Sequence, residues 1–160
     1  MFKYFTSCAV AVGTIAALAA TPAEARFHGH VLGVQGPNGG FRQYRAVSRT
    51  PGHVGVARGV QTDSGRGYRE TRTHDVSKGQ FNGETNVQTN GGRGLDTQRN
   101  ATWGNGSYSG GKTTTTDAGK TYGHSTTANR NSDGSVGYDT NYTRRDGTTG
   151  ERSGTIDRPL

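Results

Sequence analysis

Residues 37–156 alternate in polarity with a period of two, and a glycine interrupts the alternation about every 13 residues. After Gly79, one set of alternate positions reads Phe81, Gly83, Thr85, Val87, Thr89; the other reads Gln80, Asn82, Glu84, Asn86, Gln88. The same phase gives Val54, Val56, Arg58, Val60, Thr62 after Gly52, and Val136, Tyr138, Thr140, Tyr142 after Gly134. The stretch after Gly94 gives Leu95, Thr97, Arg99, Ala101, Trp103. Successive side chains of a strand point to opposite faces, so this period predicts strands with one semi-apolar and one polar face. No helical periodicity occurs after the first 25 residues.

The breaks fall at Gly39, Gly52, Gly65, Gly79, Gly92, Gly106, Gly119, Gly134 and Gly147. Tight turns need positive φ, which Gly, Asn and Asp tolerate best. Two turn types alternate, so the repeating unit spans about 27 residues. One type sets Asp or Asn before Gly, then a basic residue, as in Asp63-Ser64-Gly65-Arg66 and Asp117-Ala118-Gly119-Lys120. The other places a bulky residue two after its glycine, as in Gly79 with Phe81 and Gly106 with Tyr108. Bulk therefore collects beside the turns, leaving a middle rich in Thr and charge.

The fold class is all-β: an antiparallel meander of about nine or ten short polar strands with a thin core. A β-solenoid of 27-residue coils shares the pattern. Lys78-Gly79, Asn105-Gly106, Asp133-Gly134 and Asp146-Gly147 read as two-residue hairpins and favour the meander. A membrane barrel needs an unbroken apolar face, and Arg58, Arg99 and Lys112 interrupt the better one. Residues 26–160 hold only 16 Leu, Ile, Val and Phe, so a largely disordered chain is the other alternative.

The ends differ from the middle. Lys3, an apolar run from about Cys8 to Ala20, and Ala23-Glu24-Ala25 read as a Sec signal peptide over residues 1–25. That places the mature start at Arg26 and the protein in the periplasm, at the cell surface or outside. The run is too short to span a bilayer. Residues 26–36 read as a flexible leader able to add an edge strand, and 157–160 as a frayed tail. Residues 26–160 contain no cysteine, which excludes thiol redox chemistry and thiolate metal sites.

Over the same residues 18 basic side chains face 11 acidic ones, interspersed along the chain. This predicts a mixed surface with a basic bias, which serves solubility or, as the sharper alternative, weak attraction to anionic polymers such as lipopolysaccharide, capsular polysaccharide or extracellular DNA.

Few motifs carry chemistry. Gly106-Ser107-Tyr108-Ser109-Gly110-Gly111-Lys112-Thr113 matches the phosphate-loop pattern, but Thr114-Thr115-Thr116 continues as strand where that loop opens a helix. Gly91-Gly92-Arg93-Gly94-Leu95-Asp96 resembles one calcium-binding nonapeptide without its tandem copies. Scattered Arg-Gly steps at Arg58, Arg66 and Arg93 do not make a nucleic-acid segment. No catalytic set and no cofactor motif occurs. One metal site is suggested: with Arg26 as a free N-terminus, its amine, the amides of Phe27 and His28 and the His28 imidazole offer four nitrogens in a plane, suited to Cu(II) or Ni(II).

The reading is an exported, non-enzymatic β-repeat protein with a structural or interaction role at the bacterial envelope or in the extracellular matrix. The architecture is similar to curli-type amyloid subunits in its Sec export, Gly-rich turns and two strands per repeat, although that family's regular Gln and Asn ladders are absent. The resemblance implies a self-assembling fibre subunit as the alternative. A soluble periplasmic binder of anionic glycan or Cu(II) is the third.

Overall fold

The computed structural model describes residues 26–37 and 39–157. The expected signal peptide and residues 158–160 of the expected tail lie outside the described residues. Ten strands follow in order: β1 (Arg26–Gly36), β2 (Gly39–Thr50), β3 (His53–Thr62), β4 (Gly67–Ser77), β5 (Gln80–Thr89), β6 (Gly94–Gly104), β7 (Ser107–Thr116), β8 (Thr121–Arg130), β9 (Val136–Thr143) and β10 (Thr149–Ile156). Each pairs with the next in a single ten-stranded sheet, and every pairing is antiparallel. The meander is therefore the topology, and the solenoid, whose coils stack in parallel, is not. β1 and β10 are the two edges, so the sheet is open. Residues 26–36, read as a leader able to add an edge strand, are β1, paired with β2 along their whole length.

Turn chemistry sets this path. Among the described residues, the glycines with positive φ are the nine that the spacing picks out, with φ from 73° at Gly79 to 113° at Gly39. Two-residue turns at Pro51-Gly52, Lys78-Gly79 and Asn105-Gly106 close one end of the strands. Asn105 (φ 51°) joins Gly106 in the positive region, where Asn is the most tolerant non-glycine residue. At the other end, four-residue turns recur with one chemistry. The Thr62 hydroxyl accepts from Arg66 N–H at 3.1 Å and donates to Arg66 O at 3.0 Å, and Thr89 does the same with Arg93. Thr116 repeats it with Lys120.

Asp133-Gly134 and Asp146-Gly147 are not two-residue hairpins. They sit in five-residue connections, 131–135 and 144–148. In each, the Asp carboxylate takes two donors from the residue two positions on: Ser135 N–H (2.9 Å) and hydroxyl (2.6 Å), and Thr148 N–H (3.0 Å) and hydroxyl (2.7 Å). This side-chain turn replaces the tighter backbone one. Neighbouring turns are also tied together. Val76, Trp103 and Arg130 N–H donate to the carbonyls of Gly52, Gly79 and Gly106. Opposite them, Asp63, Asn90 and Asp117 N–H donate to Gly40, Gly67 and Gly94. Backbone groups that a hairpin end would leave open are thereby satisfied.

A lone sheet has no second layer on which to bury a face. Among the described residues Ala46 is the one buried apolar side chain; the other buried ones are Ser48, Glu70, Thr85, Thr97, Thr114 and Ser135. Threonine pairs fill the middle of one face: Thr97 and Thr114 hydroxyls meet at 2.9 Å, as do Thr126 and Thr140. Such cross-strand pairs contribute a few tenths of a kcal/mol to about 1 kcal/mol each.

Two outcomes are expected. A Cβ at Gly79 would meet Trp103 O at 2.7 Å with φ at +73°, whereas one at Gly104 meets nothing within 4 Å. In urea unfolding, Gly79→Ala should therefore cost about 1–3 kcal/mol and Gly104→Ala should cost nothing; equal losses would show that these turns do not set the fold. The second outcome concerns acid. Hydrogen bonds from Ser135 and Thr148 hold the Asp133 and Asp146 carboxyls below their ordinary pKa. A depressed folded pKa gives stability that is present above the unfolded value and lost as pH falls through the folded one. The amide shifts of Ser135 and Thr148 should therefore titrate below the ordinary Asp value of about 3.9.

Candidate polymer-binding face

Residues directly opposite in an antiparallel ladder share a face. Following the register from strand to strand puts all the semi-apolar sets named above on one side of the sheet. That side also holds Arg26, Arg45, Arg49, Arg58, Arg72, Arg99, Lys112, Arg130 and Arg152, with Glu70 as its one acidic residue. The opposite side holds Asp75, Glu84, Asp96, Asp139 and Glu151 against Arg42 and Arg69. The mixed surface expected from interspersed charges is thus corrected. Charges that alternate along the chain are sorted by the pleat into a basic face and an acidic face.

Glu70 is buried within the basic face at 5% exposure. Arg58 donates to its Oε2 from Nε at 3.0 Å and from Nη2 at 2.7 Å. Arg72 Nε lies in ion-pair contact with Oε1, without an aligned hydrogen bond. The Glu70 hydrogen bond and charge raise the Arg58 pKa above its ordinary value. This single carboxylate offsets Arg58 and Arg72, and Arg45, opposite Arg58, lies beside them.

Further along no such partner exists among the described residues. Arg99 of β6 is opposite Lys112 of β7, and Lys112 is opposite His124 of β8. Like charges directly opposite destabilise a sheet. Beyond this ladder on the same face, Trp103 and Tyr108 are opposite each other, and Tyr138 continues their row on β9.

Glycine beds carry several of these rings. A Cβ at Gly110 would meet the Tyr108 hydroxyl at 2.5 Å, and one at Gly154 would meet that of Tyr138 at 3.0 Å. Phe81 lies over Gly83 in the same way, beside a tilted His74 ring at 5.7 Å. Tyr108, Tyr138 and Phe81 thus lie along the sheet; Tyr108 is 41% exposed and Trp103, opposite it, 45%. Arg144 and Arg145 stack over Tyr142 and Tyr122 at 5.1 and 5.3 Å. Flat rings, arginine and lysine on an open surface can stack planar or sugar rings and pair with anions.

The acidic face carries two shallow depressions of about 280 and 530 Å³. The smaller is lined by Thr73, Asp75, Asn82, Glu84, Gln98 and Asn100 among others. Asp75 Oδ1 is 2.5 Å from His53 Nδ1. The Glu151 pKa is raised by its hydrogen bond to Asp139 and then by that neighbour's charge.

Arg26, Phe27 and His28 open β1, opposite Arg49, Ser48 and Val47, and all three are exposed. Successive amides of an extended strand point to opposite sides, while a square-planar chelate needs both at one centre. A copper site there therefore remains a proposal, and it requires these residues to leave β2. Among the described residues no three His, Cys, Asp or Glu side chains cluster as metal ligands. The phosphate-loop match is the Asn105-Gly106 turn followed by β7, with no helix after it.

The molecule is a single-layer antiparallel β-meander with one basic, aromatic face. No family model, curated protein or solved structure matches the chain.

Removing the buried carboxylate tests the electrostatics. Glu70→Gln should cost about 1–3 kcal/mol by leaving the neighbouring arginines without their counter-charge, and added salt should recover part of the loss. A thermal melt indistinguishable from wild type at low salt would contradict this account.

Proposed function

We propose that this is an exported, non-enzymatic interaction protein that attaches to an acidic polysaccharide of the bacterial envelope or matrix through its basic face. The observation that carries the reading is the Arg99–Lys112 pair, two fixed cations that stand opposite without a carboxylate between them, with His124 next in the row. Positions that break a local rule of stability are where function is expected. A polyanion laid across the strands supplies the missing counter-charge to cations on adjacent strands about 4.8 Å apart. Trp103, Tyr108 and Tyr138 supply flat rings for stacking sugar faces beside that row. An open sheet surface suits an extended polymer better than a small substrate, which needs a concave pocket. Export rests on the signal-like residues 1–25.

Titration of the processed protein with an acidic polysaccharide, followed by Trp103 fluorescence, tests this. Binding should weaken steeply with salt. Arg99→Gln with Lys112→Gln should weaken it about tenfold or more, equivalent to about 1.4 kcal/mol. Arg42→Gln with Arg69→Gln, on the opposite face, should leave it unchanged. Equal loss from both pairs, or equal affinity for single-stranded DNA, would mean unspecific charge attraction and sink the reading.

A further inference from the structure

The eleven residues of β1 are all exposed, and its outer edge has no strand beside it among the described residues. Large exposed apolar side chains gather there. Of the eight in the sheet, four are on β1: Phe27 (55%), Val31 (77%), Leu32 (51%) and Val34 (48%). Proteins guard such edges with charge, proline or brevity. The opposite edge does so: β10 is eight residues long and carries Glu151 and Arg152 side by side. β1 has no Lys, Asp, Glu or Pro, and its one fixed charge is Arg26 at its start. An unguarded apolar edge is a template for another strand.

We propose that the occupant is a second copy of this chain, paired antiparallel through β1 about a two-fold axis at Val31. Val31 is the middle residue of Arg26–Gly36 and the most exposed of the four. The strand has a basic first half, Arg26, His28 and His30, and an apolar second half, Leu32 and Val34, on the same face. Antiparallel self-pairing sets one half against the other. His30 lies opposite Leu32 of the second copy, His28 opposite Val34, and Arg26 opposite Gly36. On the other face Phe27 meets Gln35 and Gly29 meets Gly33. No two charged side chains stand directly opposite, and every residue of β1 is paired. The axis is perpendicular to the sheet, so both basic faces stay on the same side. A self-complementary patch of this kind closes as a dimer, whereas β1 on the β10 of a neighbour would grow without end.

The experiment is sedimentation of the processed protein, together with cysteine cross-linking, which is clean because residues 26–160 contain no cysteine. Wild type should run at twice the monomer mass. Val31→Lys, which sets two ammonium groups at the axis, should run as monomer with an unchanged circular dichroism spectrum. Val31→Cys should cross-link two copies on mild oxidation, since residues opposite in an antiparallel pair can reach disulfide distance. Val34→Cys, facing His28 instead of itself, should not. A wild-type monomer at all concentrations would overturn the proposal. So would an open-ended ladder of masses or fibres untouched by Val31→Lys, or equal cross-linking at residues 31 and 34.

Discussion

The described sheet rests first on its backbone ladder, because no second layer covers either face among the described residues. Each strand is bonded to the next along its length, and the turns at both ends are bonded to their neighbours through carbonyls such as Gly52, Gly79 and Gly106. The usual partner of a sheet, a second layer covering an apolar face, is absent among the described residues. Burial is instead local and mostly polar, with Thr97 and Thr114 bonded across β6 and β7 and Glu70 under two arginines. A fold of this kind asks little of its side chains except that they stay compatible with strands. It asks a great deal of its turns, because a turn that fails to reverse leaves the next strand without a partner.

That division of labour frees the two faces for other uses. A core would have forced one face to be apolar throughout. Here one face carries nine basic residues with Glu70 as its one acid, and the opposite one carries five acidic residues against Arg42 and Arg69. Burial and bonds to Arg58 give Glu70 a structural role within a face otherwise given over to cations. Among the described residues the Arg99–Lys112 pair, with His124 beside it, has no such carboxylate, which separates a charge cluster that the fold neutralises from one that it does not.

The fold was legible because its determinants are local. Positive φ at nine glycines, hairpin lengths of two residues at Lys78-Gly79 and Asn105-Gly106, and the period-two sets after Gly52, Gly79, Gly94 and Gly134 are all read from short windows, and the register joins those sets into one face. The turns at Asp133 and Asp146 were less legible, since a carboxylate bridging to Ser135 or Thr148 lengthens the connection without changing the Asp-Gly signature. The candidate face was missed for a different reason. Counting charges along the chain mixes the two faces. Their sorting emerges only when charge is read by the same parity as apolarity, and the ladder of Arg99, Lys112 and His124 needs the cross-strand register, which a single strand does not contain. The glycines inside strands, such as Gly110 and Gly154, are likewise explained only once the tyrosine rings lying over them are known.

The basic face and the β1 edge are independent surfaces at right angles to each other, so one can be used without blocking the other. Their combination has a consequence for affinity. Pairing about an axis perpendicular to the sheet would set two basic faces in one plane, each with its own cation ladder and aromatic row. A polymer that binds the first ladder then meets the second at a fixed distance, as an intramolecular event, and overall avidity can exceed either single affinity by orders of magnitude without any new contact. On the proposed reading, weak, salt-sensitive contacts at each ladder would then be sufficient for firm attachment without a deep pocket.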